Sequence, residues 1–554
     1  MYLLKKSPRT LGLDEPIRHE NHKRPVTRRD FISQGFITGP AVVAVPTLLT
    51  MLVRSEIARG NPLSPDLEAM LLPDTLPGGL CNVQAGAGKV PFICFDLAGG
   101  ANLHGSEMLL GTGGNPDNLL STQGYAKVGL PGNMLPSSVN PANTVSGDFI
   151  NREFGAAWHS DGAILRGMQA STQPTTRANT NGFPIAARSE NDTGNNPHNP
   201  MYGINRIGAD GQLLTLIGSQ NSDSGGNSMA PVAMMNPAAR PTKVDRASDV
   251  TGLVDTGELG TLFTNQDDAI AVLESMTRLS HTKTGVAPVV NAARPLSGAE
   301  EEALRKLVKC GYLKSTYLAD RFRSPASLNP DLDPHIVAQA AQPAGITPIF
   351  TAAEYSGDNE FRKAAAIMKM VINGYAGAGT VTMGGYDYHG QGRNTGETRN
   401  FRAGRCIGAC LEYAARMNKP LMIYVFSDGS LSANGVVNMT AAGRGKLDWA
   451  SDNQATAASL VLVYRPGGPV QFRSTTRRQI GSVSANADVV TTSSPAANSV
   501  NQLVETVLLN YLGLHSQENL FAGLFPTHGL GTDQQRDALT LFAPVCNGTI
   551  SNPL

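Results

Sequence analysis

An aspartate and a histidine two residues apart, Asp387 and His389, follow a glycine pair in VTMGGYDYHGQ, at the end of what reads as a short strand. A helical stretch comes next, and then LMIYVFS, a second strand that ends in another carboxylate, Asp428. Asp452 stands ahead of a third strand, SLVLVYR (459–465), and Asp96 ends an earlier one within KVPFICFDLAGGANLHG. Carboxylates and imidazoles at the carboxyl ends of neighbouring strands sit where open α/β sheets place ligands and chemistry. Mixed oxygen and nitrogen donors suit zinc, manganese or iron, whereas all-oxygen cages suit calcium or magnesium. Asp387, His389, Asp428, Asp452 and Asp96 are therefore the candidate ligands of divalent metal ions, with His104 a further donor from the exit of the first strand. Two such ions about 3.5–4 Å apart can stabilise both oxygens of a displacement at phosphorus or sulfur. The competing reading is a set of unrelated carboxylates that cap helices and turns. D-x-H alone is a weak motif, and carboxylates at successive strand ends make a stronger one.

The flanking pattern says what must hold these groups. Val90 to Leu97 is a mostly apolar run that fits a strand buried on both faces. GAILRGM (162–168) reads as another short strand, and its exit offers Ser171, Thr172, Thr175 and Thr176 as hydroxyl nucleophiles, none favoured over the rest. From Asp358 to Ala376 the chain reads as a helix with Phe361, Ala364, Ala365, Met368, Val371 and Ile372 on one face. Helix, strand, helix (about 397–418) and strand then alternate, the order of a parallel α/β sheet. Helical patterns over 252–280 and 297–323 are expected to cover a flank of that sheet, the second opening on a Ser297–Glu300 capping box. NQLVETVLLNYLG is the last clear helix. The expected fold is α/β, with a mainly parallel, mixed central sheet between helices. One domain over 89–554 carries a loop-rich insertion at about 105–250, and a linker over 61–88 precedes it.

Composition narrows the function classes. The 554 residues carry a formal charge of +0, so nothing favours nucleic acid or an anionic membrane surface. The 41% hydrophobic content supports a substantial core, and only 16% of residues are charged. Thr27, Arg28, Arg29, Asp30 and Phe31 precede a mostly apolar run from Gly35 to Val53, which reads as a twin-arginine export signal over 1–60. The implied partner is the twin-arginine translocation machinery. The implied location is the periplasm or cell envelope of a bacterium, with any membrane contact made by this segment alone. Six cysteines are too few for a disulfide scaffold. Cys406 and Cys410, four apart on a helix, read as buried thiols in preference to a redox or metal pair. There is no Walker loop, no G-x-G-x-x-G after a strand, no H-E-x-x-H and no G-x-S-x-G elbow.

Taken in order, the twin-arginine leader, FDLAGG, GAILRGM, GGYDYHG, LMIYVFSDGS and TVLLNYLG resemble the exported bacterial family catalogued as domain of unknown function 1501. The resemblance covers roughly residues 88–525. It implies an alkaline-phosphatase- and sulfatase-like fold with metal ions at the carboxyl edge, Asp387 and His389 among their ligands. Asp428 matches a position that is commonly acidic in that family. Two departures stand out: Ser427-Asp428-Gly429-Ser430 lacks the family's arginine, and Asp452-Asn453-Gln454 replaces its Asp-His-Gly. No cysteine lies in the C-x-P-x-R motif of sulfatases, which argues against that route, and no nucleophile is assigned. The resemblance implies an exported metal-dependent hydrolase acting on phosphate or related esters, small or polymeric. The alternative is a non-catalytic relative that serves in envelope binding or assembly.

Overall fold

The computed structural model describes residues 63–71, 81, 88–136, 139, 148–189, 195–254, 266–286, 297–322 and 325–554. The export-signal segment and much of the 61–88 stretch lie outside the described residues. Contacts divide the chain into one unit from 1–83 and 255–323 and another from 84–254 and 324–554.

In the first unit the long helices Gln266–Val286 and Gly298–Arg321 pair with each other and with the short helix Pro65–Met70. The stretch 65–70, expected in a linker, is helical. Here Leu63, Leu67 and Leu71 pack on Leu313, and a disulfide joins Cys81 to Cys310. The Arg278 guanidinium grips the Asp66 carboxylate at 2.8 and 2.9 Å. The expected capping box is present, with Ser297 and Glu300 bonding each other's backbone N–H.

The second unit is built on a seven-stranded mixed sheet. Its strands are β1 (Phe92–Leu97), β4 (Thr180–Ala186), β5 (Leu214–Gly218), β6 (Thr242–Lys243), β7 (Ala376–Met383), β8 (Leu421–Ser427) and β11 (Ala458–Tyr464), in the order β4-β11-β8-β1-β7-β5-β6. β1 lies parallel to β7 and β8, whereas β11 runs antiparallel to both β8 and β4. Four two-residue or longer strands form small ribbons, β2 (Ile150–Asn151) with β3 (Trp158–His159) and β12 (Cys546–Asn547) with β13 (Thr549–Pro553). A third ribbon, β9 (Leu431–Val437) with β10 (Leu447–Asp452), rises from the end of β8.

Every residue of β1, β8 and β11 is buried, as unbroken apolar runs require. Phe92, Cys94, Met422 and Tyr424 face a core that includes Leu503, Val504, Val507, Leu508 and Tyr511 of the helix Val500–Leu514. On the opposite face, Ile367 and Val371 of the helix Asn359–Ile372 press against Gly379 of β7. Helices therefore cover both faces. No helix among the described residues is long and apolar enough to cross a membrane.

GAILRGM is not a strand. It opens α1 (Ala163–Ser171), which packs along α2 (Arg393–Arg416). Ile164, Gly167, Met168 and Ser171 are buried together, a spacing of three and four that seven residues are too few to reveal. The approach is close because three glycines allow it. A Cβ on Gly404 would stand 2.2 Å from the Ile164 carbonyl oxygen, one on Gly167 2.2 Å from that of Phe401, and one on Gly408 2.8 Å from Met168. Of the four candidate hydroxyls, Thr172 donates to the Met168 carbonyl, Thr176 donates to Glu412 and Ser171 accepts from Arg405, while Thr175 is exposed on the short helix Pro174–Ala178. Cys406 and Cys410 are buried free thiols, as the four-residue spacing suggested, and burial pushes both up.

Gly404→Ala should cost about 1–3 kcal/mol despite the better helix propensity of alanine, because two backbones must separate. At Gly357, which ends the helix Ala352–Gly357 with no atom near its would-be Cβ, the same change should be neutral or stabilise by up to about 1 kcal/mol. Urea unfolding midpoints of the two variants, read at constant m, decide it; equal effects would refute the close approach.

Candidate metal centre

β7 ends at Met383, and the chain continues Gly384-Gly385-Tyr386-Asp387-Tyr388-His389 outside the strand, with Gly385 at φ +82° and the Tyr388 N–H donating to the Tyr386 carbonyl at 3.0 Å. Tyr386 and Tyr388 turn inward and are buried, so Asp387 and His389 turn outward together. Tyr386 is fixed at both ends, its N–H donating to Ala98 at 2.9 Å and its hydroxyl to the Arg399 carbonyl at 2.8 Å. Tyr388 donates to Asn400 Oδ1 at 3.3 Å and accepts from the Asn102 N–H at 3.2 Å. Two buried tyrosines thus hold the pair of outward groups.

Asp452 comes from β10. Gly390 and Gln391 donate to the carbonyls of Ala450 and Trp449 at 3.1 and 2.7 Å, which zips the histidine loop to that strand. The root of β10 is clamped by Arg393, buried at the start of α2. Its guanidinium donates to the carbonyl of Leu447 and to Ser106, and it stacks 3.9 Å over the Trp449 ring. Nearby, Lys446 and Glu397 form a buried ion pair at 2.7 Å, and Arg166 reaches the same carboxylate at 2.8 Å.

The outcome is a three-sided cluster. His389 Nδ1 lies 2.5 Å from Asp387 Oδ1 and 3.3 Å from Asp452 Oδ1. One ligand atom from each residue falls within 4.8 Å of the others, and the side chains are 52%, 46% and 49% exposed for Asp387, His389 and Asp452. Two carboxylates and an imidazole form a donor set that fits zinc, manganese or iron. The FDLAGG glycines lie directly beneath. Gly99 adopts φ +127°, and a Cβ there would stand 2.1 Å from the Asp387 nitrogen; one on Gly100 would stand 3.6 Å from Asp452 Oδ1.

Asp96 and Asp428 do not join the cluster. Both are buried and both already serve as acceptors. Asp96 takes the N–H groups of Asn227 and Ser228 at 2.7 and 2.8 Å, and burial still raises its pKa. Asp428 takes the Gly99 N–H at 2.7 Å and the Asn227 side-chain amide at 3.2 Å. Between them the two carboxylates pin the loop around Asn227 to the sheet edge. His104 is buried with neither ring nitrogen hydrogen-bonded, and burial lowers it to about 3. A strand-end carboxylate looks the same in sequence whether it meets a backbone N–H or an ion.

Two features of this edge escaped the sequence reading. Ser189 Oγ lies 3.2 Å from His198 Nε2, and the Asn196 amide bonds both Ser189 and the Asp428 carbonyl. A serine and histidine nine apart in a polar loop carry no recognisable spacing. The second is Arg399, whose Nη1 would collide with a Cβ on Gly385 and donates to the Gly384 carbonyl at 3.5 Å. Its guanidinium borders the segment that carries Asp387.

No protein-family model matches the chain, and no curated protein matches it either.

The buried Glu107 offers a test of the network behind Tyr388. Its carboxylate accepts from Asn400 at 3.0 Å and from the Ile164 N–H at 2.8 Å. Burial raises its pKa from 4.5 to about 7, with Lys446 opposing and Glu397 adding to the shift. A folded-state pKa raised above the unfolded one contributes stability at low pH that is lost as pH rises through about 7. Glu107→Gln, which cannot ionise, should therefore gain stability relative to wild type between pH 5 and 8, whatever its constant offset. Parallel pH profiles in thermal unfolding would overturn the assignment.

Proposed function

We propose that the chain is an exported, metal-dependent hydrolase acting on phosphate or related esters, with one divalent ion held by Asp387, His389 and Asp452. The observation that carries this reading is the convergence of those three groups, from two separate segments, at the carboxyl edge of the sheet. A divalent cation of the zinc, manganese or iron type supplies Lewis acidity toward an ester oxygen or a water. The protein supplies the rest: Tyr386 and Tyr388 set the direction of the ligands, and half-exposure leaves the cluster open to a bulky substrate. Arg399 adds a positive charge beside it for an anionic ester. Hydrolysis breaks the ester bond, with water providing the oxygen to phosphorus and the proton to the leaving alcohol. An alkaline-phosphatase-like ancestry belongs to the same proposal, supported by the mixed sheet between helices and by the GGYDYHG segment at its edge. The Cys81–Cys310 disulfide supports export to an oxidising compartment by the twin-arginine route.

A second reading has its own support. The acidic groups near the ends of β1 and β8, Asp96 and Asp428, are spent on the protein's own N–H groups, which leaves one small cluster where a two-ion site would need more ligands. A relative that keeps the fold and serves in envelope binding would look like this.

Protein purified without chelator should contain about one equivalent of transition metal, lost in Asp387→Ala/His389→Ala while the fold is retained. Hydrolysis of bis-(4-nitrophenyl) phosphate should fall at least about 100-fold in that variant. Arg399→Ala should mainly raise KM. Absence of metal from the wild-type protein, together with equal background hydrolysis, would sink the enzyme and leave the binding reading.

A further inference from the structure

At the other end of the sheet the second unit holds a cleft of about 510 Å³, the size range of small-molecule sites. Thr180 and Asn181, which line it, pair with Tyr464 and Val463 of β11. Those residues pair in turn with Leu421 and Met422 at the start of β8. The cleft is therefore at the amino-terminal edge of β8, away from Asp387, His389 and Asp452.

Its charged lining is Arg152, Arg177 and Arg478 against Glu153 alone. That is a local excess of positive charge in a chain whose formal net charge is +0. Two of the three guanidinium groups are engaged. Arg152 pairs with Asp117 at 2.6 Å, and Arg177 meets Glu153 at 3.3 Å and the Thr172 carbonyl at 3.0 Å. Arg478 is different: among the described residues its guanidinium makes no hydrogen bond and no ion pair, whereas Arg177, whose Nε is likewise buried without a hydrogen bond, is held by Glu153 and the Thr172 carbonyl. A cationic fork left without an acceptor at the wall of a cleft can pair with an incoming oxyanion without first breaking an internal contact. Phe154 and Phe472 add apolar wall. The volume is far more than a lone ion needs.

We propose that this cleft binds a small organic anion, a phosphate monoester or a carboxylate with an apolar body, through the Arg478 guanidinium. The guanidinium fork matches either oxyanion in the bidentate mode, so the shared chemistry is a planar donor pair facing two oxygens.

The test is calorimetric titration of the full chain with phenyl phosphate and with phthalate. It is run in the Asp387→Ala/His389→Ala background, so that the proposed hydrolytic centre neither binds nor turns over the probe. One-site saturable binding of at least one probe is expected, weakened at least about tenfold by Arg478→Gln and less by Arg478→Lys, which keeps the charge without the fork. Preference for phenyl phosphate would identify a phosphate ester as the ligand class, and preference for phthalate a carboxylate. Thermal unfolding checks that both Arg478 variants are folded. No saturable binding of either probe at millimolar concentration, or equal affinity with and without Arg478, would overturn the proposal. Neither result would bear on the metal centre.

Discussion

Where β1 leaves the sheet, the backbone at Gly99 passes so close to Asp387 that no side chain fits between them. The rest of the carboxyl edge is arranged round that approach. The Gly99 N–H is taken by Asp428, the Ala98 carbonyl by Tyr386, and the next glycine leaves room for Asp452. An ordinary residue at Gly99 would meet both a steric block and a φ that L side chains rarely adopt. The glycine pair thus determines how near β1, β7 and the β9–β10 ribbon come to one another. That nearness is what gathers donors from segments far apart in the chain.

The same economy of side chain recurs behind the site. Gly167, Gly404 and Gly408 let α1 lie against α2, which brings Glu107, Asn400 and Glu397 within reach of one another in the interior. Buried charge is costly unless it is paired and hydrogen-bonded. Here Arg393, Lys446 and Arg166 face Glu397, and the spare donors of Arg393 reach backbone carbonyls. Such a network adds little net stability, but its contacts tie Glu397 of α2 to Lys446 beside β10 and Arg393 to the Leu447 carbonyl. That arrangement fixes the root of β10, and with it Asp452.

Much of the fold was legible because periodicity reports burial. The mostly apolar runs FICFDL and LMIYVFS fit strands buried on both faces, and the 3.6-residue pattern of 359–372 fits a helix with one buried face, as the structure has them. GAILRGM misled because four apolar residues and two glycines fit either element; the deciding contact, with Gly404, lies more than two hundred residues away. The β9–β10 ribbon was missed because LSANGVV and LDWASD are half polar and pair only with each other. For the site, the alternation Tyr-Asp-Tyr-His put Asp387 and His389 on one side, and Asp452 followed from its place before a strand. Asp96 and Asp428 have the same sequence signature, yet Asp96 accepts from the backbone N–H groups of Asn227 and Ser228, and Asp428 from the Gly99 N–H and the Asn227 side-chain amide, partners that no pattern announces.

The central position of β1 also has a consequence for when this protein can fold. Asp96 stands beside Thr382 on one neighbouring strand and Phe426 on the other, so both hydrogen-bonding partners of the middle strand are encoded far downstream of it. Contacts of such long range are slow to form. A ribosome moving at about 5–20 residues per second needs on the order of tens of seconds to deliver β7 after β1 has emerged. For that interval an apolar strand with two open edges has nowhere to go. Synthesis of this chain therefore creates a window in which β1 must be shielded by something other than its own sheet.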